Sequence, residues 1–123
     1  MAKVIGVGGV FIKSPDPAAL REWYQKVLGF EMEPWGGAVF PPGPAAAVPG
    51  AGTVWCPFKP STTYFAPSTR EVMVNFMVDD MDAMLERCRA NGVEVKEAEP
   101  QNGRFAHLMD PDGTRIELWE PKP

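Results

Sequence analysis

Hydrophobic and polar positions spell the same pattern twice along this chain. An apolar stretch from Val4 to Lys13 leads into Ser14-Pro15-Asp16, after which Leu20, Trp23, Tyr24, Val27 and Leu28 recur at three- and four-residue spacing up to Gly29. That spacing predicts a strand followed by an amphipathic helix, capped by Asp16, with Pro17 in its first turn and Gly29 as its stop. The second copy, Met73 to Val95, places Asp79 or Asp80 at the cap, Met81, Met84, Leu85 and Cys88 on the stripe, and Gly92 at the stop. Phe11 aligns with Asn75 and Asp16 with Asp80, while Gly29-Phe30-Glu31 aligns with Gly92-Val93-Glu94 after the loss of a single helical residue. A repeated strand–helix–strand unit predicts two equivalent modules sharing one sheet, with a cleft between them.

Between the copies, Phe30 to Pro34, Gly37 to Phe40 and Thr53 to Phe58 are expected as short strands. Pro41 to Gly52 is expected as a loop, because Pro41, Pro42 and Pro44 argue against a hydrogen-bonded helix or central strand. The stretch "KPSTTYFAPSTRE" is expected to link the modules. The chain is thus one domain, with module one at about 1–60, a linker at about 59–71 and module two at about 72–123. At the C-terminal end, Asp110-Pro111-Asp112-Gly113 supplies turn chemistry for a hairpin. A three-residue loop with a glycine bulge sets His107 opposite Glu117 and Leu108 opposite Ile116. Ala106, Leu108, Ile116 and Leu118 then share an apolar face, and Phe105, His107, Glu117 and Trp119 share the other.

Composition narrows the partners. The chain has 123 residues, 45% hydrophobic and 23% charged, with a net charge of -4, which suits one soluble globular core. Lys and Arg are scattered and form no basic stripe, so nucleic acid and anionic membrane are not expected partners. The N-terminal "MAKVIGVGGVFIKS" is too short and glycine-broken for a signal peptide or spanning helix, and a cytoplasmic location is expected. Cys56 and Cys88 lack metal-ligand spacing and are expected as reduced, small core residues. No Ser-His-Asp or Cys-His signature occurs, and "GVGG" precedes a strand, unlike a dinucleotide loop.

The stretches "PDPAALREWYQKVLGF", "NFMVDDMDAMLERCRANGVEV" and "DPDGTRIELWEP", in that order, resemble the vicinal oxygen chelate superfamily of glyoxalases, bleomycin-resistance proteins and extradiol dioxygenases. The resemblance implies an α+β fold of two βαβββ modules. Their eight strands form a curved mixed sheet around a cavity, with helices on the convex face, and the implied assembly is a homodimer. It also implies metal-ligand positions, which fall here on Gly9, approximately Trp55, Met73 and Glu117. Glycine has no side chain, indole does not ligate and a thioether suits hard divalent ions poorly. Glu117, even with His107 beside it, falls short of a catalytic zinc site. Neither metal nor other cofactor is expected.

Period-two alternation then lines the cavity with Phe11, Trp55, Met73, Asn75, Met77, Phe105 and Trp119 around Glu117 and His107. Apolar walls with sparse polar groups suit a small aromatic or apolar organic ligand. Each residue also has a plainer role: packing for the aromatic residues, filler for the methionines, a structural partner of Glu117 for His107, a surface charge for Arg104. Three functions stay open. The chain binds or sequesters a small molecule; or it is a glyoxalase-like lyase or isomerase in which Glu117, its pKa raised by apolar walls, moves a proton with His107; or its dimer surface is the function. The alternation does not say whether the loop from Pro41 to Gly52 acts as a lid.

Overall fold

In the computed structural model, which describes residues 2–122, the second half of the chain forms a complete βαβββ unit. The elements are α1 (Pro17–Leu28), α2 (Pro42–Ala46), β1 (Val74–Met77), α3 (Met81–Ala90), β2 (Lys96–Glu97), β3 (Arg104–Met109) and β4 (Arg115–Glu120). The mixed sheet has the order β1-β4-β3-β2, with β1 parallel to β4 and the other pairs antiparallel.

Local chemistry starts and stops both long helices as the pattern predicts. The Asp16 carboxylate accepts from the Ala19 amide at 3.1 Å, and the Asp80 carboxylate accepts from the Ala83 amide at 3.0 Å. Gly29 ends α1 at φ 75°, a left-handed conformation that costs glycine nothing. The stripes meet in one core. Leu20, Tyr24, Val27 and Leu28 of α1 and Met81, Leu85 and Cys88 of α3 pack with Ala106, Leu108, Ile116 and Leu118 of the hairpin. The hairpin register is the expected one: His107 faces Glu117 and Leu108 faces Ile116. Its inward side chains are almost wholly removed from solvent, with Ala106 and Ile116 at 0% exposure.

Three joints hold α1 to the second half. Arg87 on α3 donates to the Lys26 carbonyl at 3.0 Å and the Gln25 carbonyl at 3.1 Å, where the last turn of α1 has carbonyls to spare. The Asn91 amide adds a bond to the Lys26 carbonyl. The Tyr24 hydroxyl donates to the buried Asp110 carboxylate at 2.6 Å, which lies in the hairpin turn.

The first module departs from expectation. Among the described residues no strand forms before Val74, and Met32 and Ala38 make only an isolated bridge. Four strands therefore form where eight are expected. The segments at Val4 to Lys13 and Thr53 to Phe58 keep their apolar alternation but lack a hydrogen-bonding neighbour, and Val4, Ile5 and Phe11 stand at 89%, 94% and 93% exposure. A strand needs a partner for its backbone groups, and pattern alone does not supply one. The proline-rich stretch departs in the other direction. Pro41, Pro42 and Pro44 take the cap and first turn of α2, where amides have no helical partner and proline costs little. Cys88 lies in the core as expected, whereas Cys56 is exposed, on a segment without strand neighbours.

Candidate functional site

The face of the sheet opposite the helices carries two rows of side chains, set by strand register. Asn75, Glu117 and His107 lie side by side across β1, β4 and β3, and Met77, Trp119 and Phe105 form the next row. Because β4 alternates, Ile116 and Leu118 fix these outward positions from beneath by burying the opposite face.

Glu117 is the centre of the first row and only 7% exposed. The Asn75 side-chain amide donates to its Oε1 at 2.9 Å. His107 Nε2 lies 2.7 Å from Oε2, and the Tyr64 hydroxyl donates to the same oxygen at 2.5 Å. Tyr64 and His107 also approach each other at 3.3 Å. Burial on its own pushes the Glu117 carboxyl up, but the hydrogen bonds from His107, Tyr64 and Asn75 outweigh it and hold the group below its ordinary value. This corrects the expectation of a carboxyl raised by apolar walls. The walls are donors, and at neutral pH the group is a carboxylate that accepts hydrogen bonds.

Tyr64 was not anticipated. It belongs to the linker, where no periodicity assigns a face, and its aromatic neighbours Phe58 and Phe65 were the only available hint. Its ring stacks on Phe58 at 5.7 Å and meets His107 edge-on at 5.6 Å. The Arg115 guanidinium lies 5.2 Å from the ring centre and donates to the carbonyls of Tyr64 and Ala66. Burial, the bond to Glu117 and that carboxylate's charge push the Tyr64 hydroxyl up to about 12, against a smaller opposing effect from Arg115.

The second tyrosine, Tyr24, is also raised, by burial first and by its bond to Asp110 second. A raised folded-state value means the stability contribution is whole below the unfolded value of about 10 and is lost as pH climbs through the folded one. Tyrosinate absorbance should therefore stay near baseline in the native protein up to about pH 10 and emerge near the ordinary value in denaturant. Native titration with an ordinary midpoint would contradict the placement of both hydroxyls.

In the second row, Phe105 and Trp119 stack at 6.0 Å with their planes 8° apart, and the Trp119 indole donates to the Asn102 carbonyl at 3.0 Å. Met77 is exposed beside them and Met73 is half-buried. A hollow of about 70 Å³ lies between Tyr64, Ala98, Glu99, Gln101 and Phe105, at the edge of the second row. Phe11 and Trp55 stand apart at 93% and 79% exposure, because their segments find no strand to pair with. Arg104 faces the helices and is held by Glu97 and Asp82, each at 2.8 Å. It is not presented to the open face.

The residues at the family's ligand positions do not fit a divalent metal. Gly9 and Trp55 offer no ligand atom, Met73 offers a thioether, and both Glu117 oxygens already accept hydrogen bonds from neighbouring groups. Among the described residues no cluster of three or more His, Cys, Asp or Glu side chains is placed to hold an ion. No helix among them is long and apolar enough to cross a membrane.

Comparison with known proteins agrees with this fold. The glyoxalase-like domain family matches residues 9–119. A glyoxylase/bleomycin resistance protein/dioxygenase domain from Frankia sp. EAN1pec superimposes at a TM-score of 0.62 and 18% identity, over 98% of this chain and 100% of its own. FosX, a fosfomycin resistance protein from Listeria monocytogenes, gives 0.56 at 16% identity, over 98% and 94%. TnmS3, an antibiotic binding protein from Streptomyces sp. CB03234, gives 0.52 at 21% identity, over 87% and 88%. Two alignments of higher identity, 30% and 33%, span only 44% and 45% of the other proteins. No curated protein matches. The family match spans both halves of the sequence and coincides with the βαβββ unit seen in the second. The chain belongs to the glyoxalase-like domain family of the vicinal oxygen chelate superfamily.

Proposed function

We propose that this protein binds a small planar or apolar organic molecule on the open sheet face, without a metal, and that it works as a cytoplasmic homodimer. The observation that carries the reading is the pairing of a buried, donor-saturated carboxylate, Glu117, with the stacked Phe105–Trp119 surface in the adjacent row. Such a site offers ring stacking for affinity and fixed polar groups for orientation. The fold is shared with an antibiotic binding protein and a fosfomycin resistance protein, which supports a small-molecule role. In this reading the exposed alternating segments of module one supply the missing strands of an eight-stranded sheet, and so enclose the face. Free thiols at Cys56 and Cys88 accord with a reducing compartment.

A thermal-shift screen of planar aromatic and amphipathic compounds tests this. Ligands at a hundredfold excess over Kd should add about 2.7 kcal/mol of stability. Trp119→Ala should remove the effect and Trp119→Phe should keep most of it. A broad library without one stabiliser would sink the proposal.

A second reading, a lyase or isomerase using Glu117 and His107 for proton transfer, draws on their 2.7 Å contact. The lowered Glu117 value weighs against it, since a base stabilised by several donors is a weaker proton acceptor. Glu117→Gln would abolish turnover in that case while leaving binding nearly intact.

A further inference from the structure

We propose that Tyr64 occupies the subsite of a ligand hydroxyl, and that phenolic or enolic ligands displace it from Glu117 and His107. The inference rests on the open sheet face being the binding face and names the class of molecule it takes.

Tyr64 behaves as a docked group more than as part of the scaffold. It lies in a stretch without helix or strand and is 41% exposed, so its ring can leave without opening the core. What it leaves behind is demanding. Glu117 keeps Asn75 and His107, but one acceptor position on Oε2 loses its O–H donor. A ligand ring laid over that position excludes water, and an acceptor left unpaired beneath it is costly, so the position favours a ligand that brings its own hydroxyl. The surroundings are already shaped for a phenol. Phe58 stacks on the ring, His107 meets its edge, and the hollow beside Tyr64 opens toward Phe105.

The carboxylate also sets the sign of selection. Both Glu117 oxygens are met by donors, Asn75 at Oε1 and His107 and Tyr64 at Oε2, so the group acts as a hydrogen-bond acceptor and offers no donor. A hydroxyl satisfies it. An ether of the same shape leaves it short of a donor, and a carboxylate ligand meets like charge. Tyr64 itself competes, because ligand affinity is reduced by the fraction of molecules in which its own hydroxyl holds the subsite.

Isothermal titration with naphthol, its methyl ether and naphthoate separates the possibilities, using the full chain and its Tyr64→Phe and Glu117→Gln variants. Naphthol should bind the unaltered protein about tenfold or more tightly than the methyl ether, the worth of one hydrogen bond to a charged group. Naphthoate should bind more weakly than naphthol. Tyr64→Phe should tighten naphthol severalfold, because the Phe58 shelf stays while the competing hydroxyl goes. Glu117→Gln should shrink the preference for naphthol over the ether.

Equal affinities for naphthol and its ether would overturn the hydroxyl subsite while leaving a small-molecule face in place. So would a Tyr64→Phe variant that binds naphthol no better than the unaltered protein. If none of the three probes binds either protein, the subsite falls; failure of the wider screen as well would remove the binding reading beneath it.

Discussion

Asp110→Ala is expected to lower the unfolding free energy by about 3–5 kcal/mol, from three hydrogen bonds of about 1–1.5 kcal/mol each plus the exposure of donors to an apolar surround. Asp110 is 4% exposed. One carboxylate oxygen takes the Tyr24 hydroxyl at 2.6 Å, and the other takes the amides of Asp112 and Thr114, both at 2.9 Å. The residue thus shapes the hairpin turn and ties it to α1, so a single truncation loosens a local and a long-range contact together. Tyr24→Phe removes only the long-range bond and should cost about 1–2 kcal/mol, which a urea titration resolves from the larger loss. Equal losses for the two variants would show that the turn bonds contribute nothing.

The second large effect is expected at Gly103. Its φ of 110° lies where side chains are rarely tolerated, and a Cβ placed there would collide with the Glu120 carbonyl oxygen and approach Trp119 Nε1 at 2.9 Å. Glu120 ends a strand paired with β3, so its backbone has little room to retreat. Gly103→Ala should therefore cost about 2–4 kcal/mol, combining backbone strain with overpacking. The damage should reach the open sheet face, because the displaced indole is half of the Phe105–Trp119 stack. Thermal unfolding and tryptophan fluorescence measure the two consequences, and an unchanged midpoint with an unchanged spectrum would contradict them.

Residues whose roles depend on near neighbours were legible in the chain itself. The caps Asp16 and Asp80 and the His107–Glu117 register follow from turn chemistry and period, which act within a few residues. The outward row of Asn75, His107 and Glu117 followed from alternation for the same reason. Tyr64 did not, because it reaches Glu117 from a linker held by Arg115, 51 residues away in sequence. The expected direction for the Glu117 carboxyl was reversed as well, since it depends on the full set of donors, His107 first and then Tyr64 and Asn75, set against burial. The strands expected in module one do not form among the described residues, for a different reason. Alternation says which face a strand would bury, but β pairing is a property of two segments, and Val4 to Lys13 has no neighbour among the described residues.

Parallel pairing of β1 with β4 has a consequence for how the molecule is made. β4 is an interior strand of the sheet, yet it follows every other element in chain order. Val74–Met77 thus waits on Arg115–Glu120 for its backbone partner, and α1 and α3 keep their oily stripes uncovered in the meantime. Until Arg115–Glu120 has been synthesised the growing chain cannot close this sheet, and over that interval its uncovered apolar stripes most need protection from self-association.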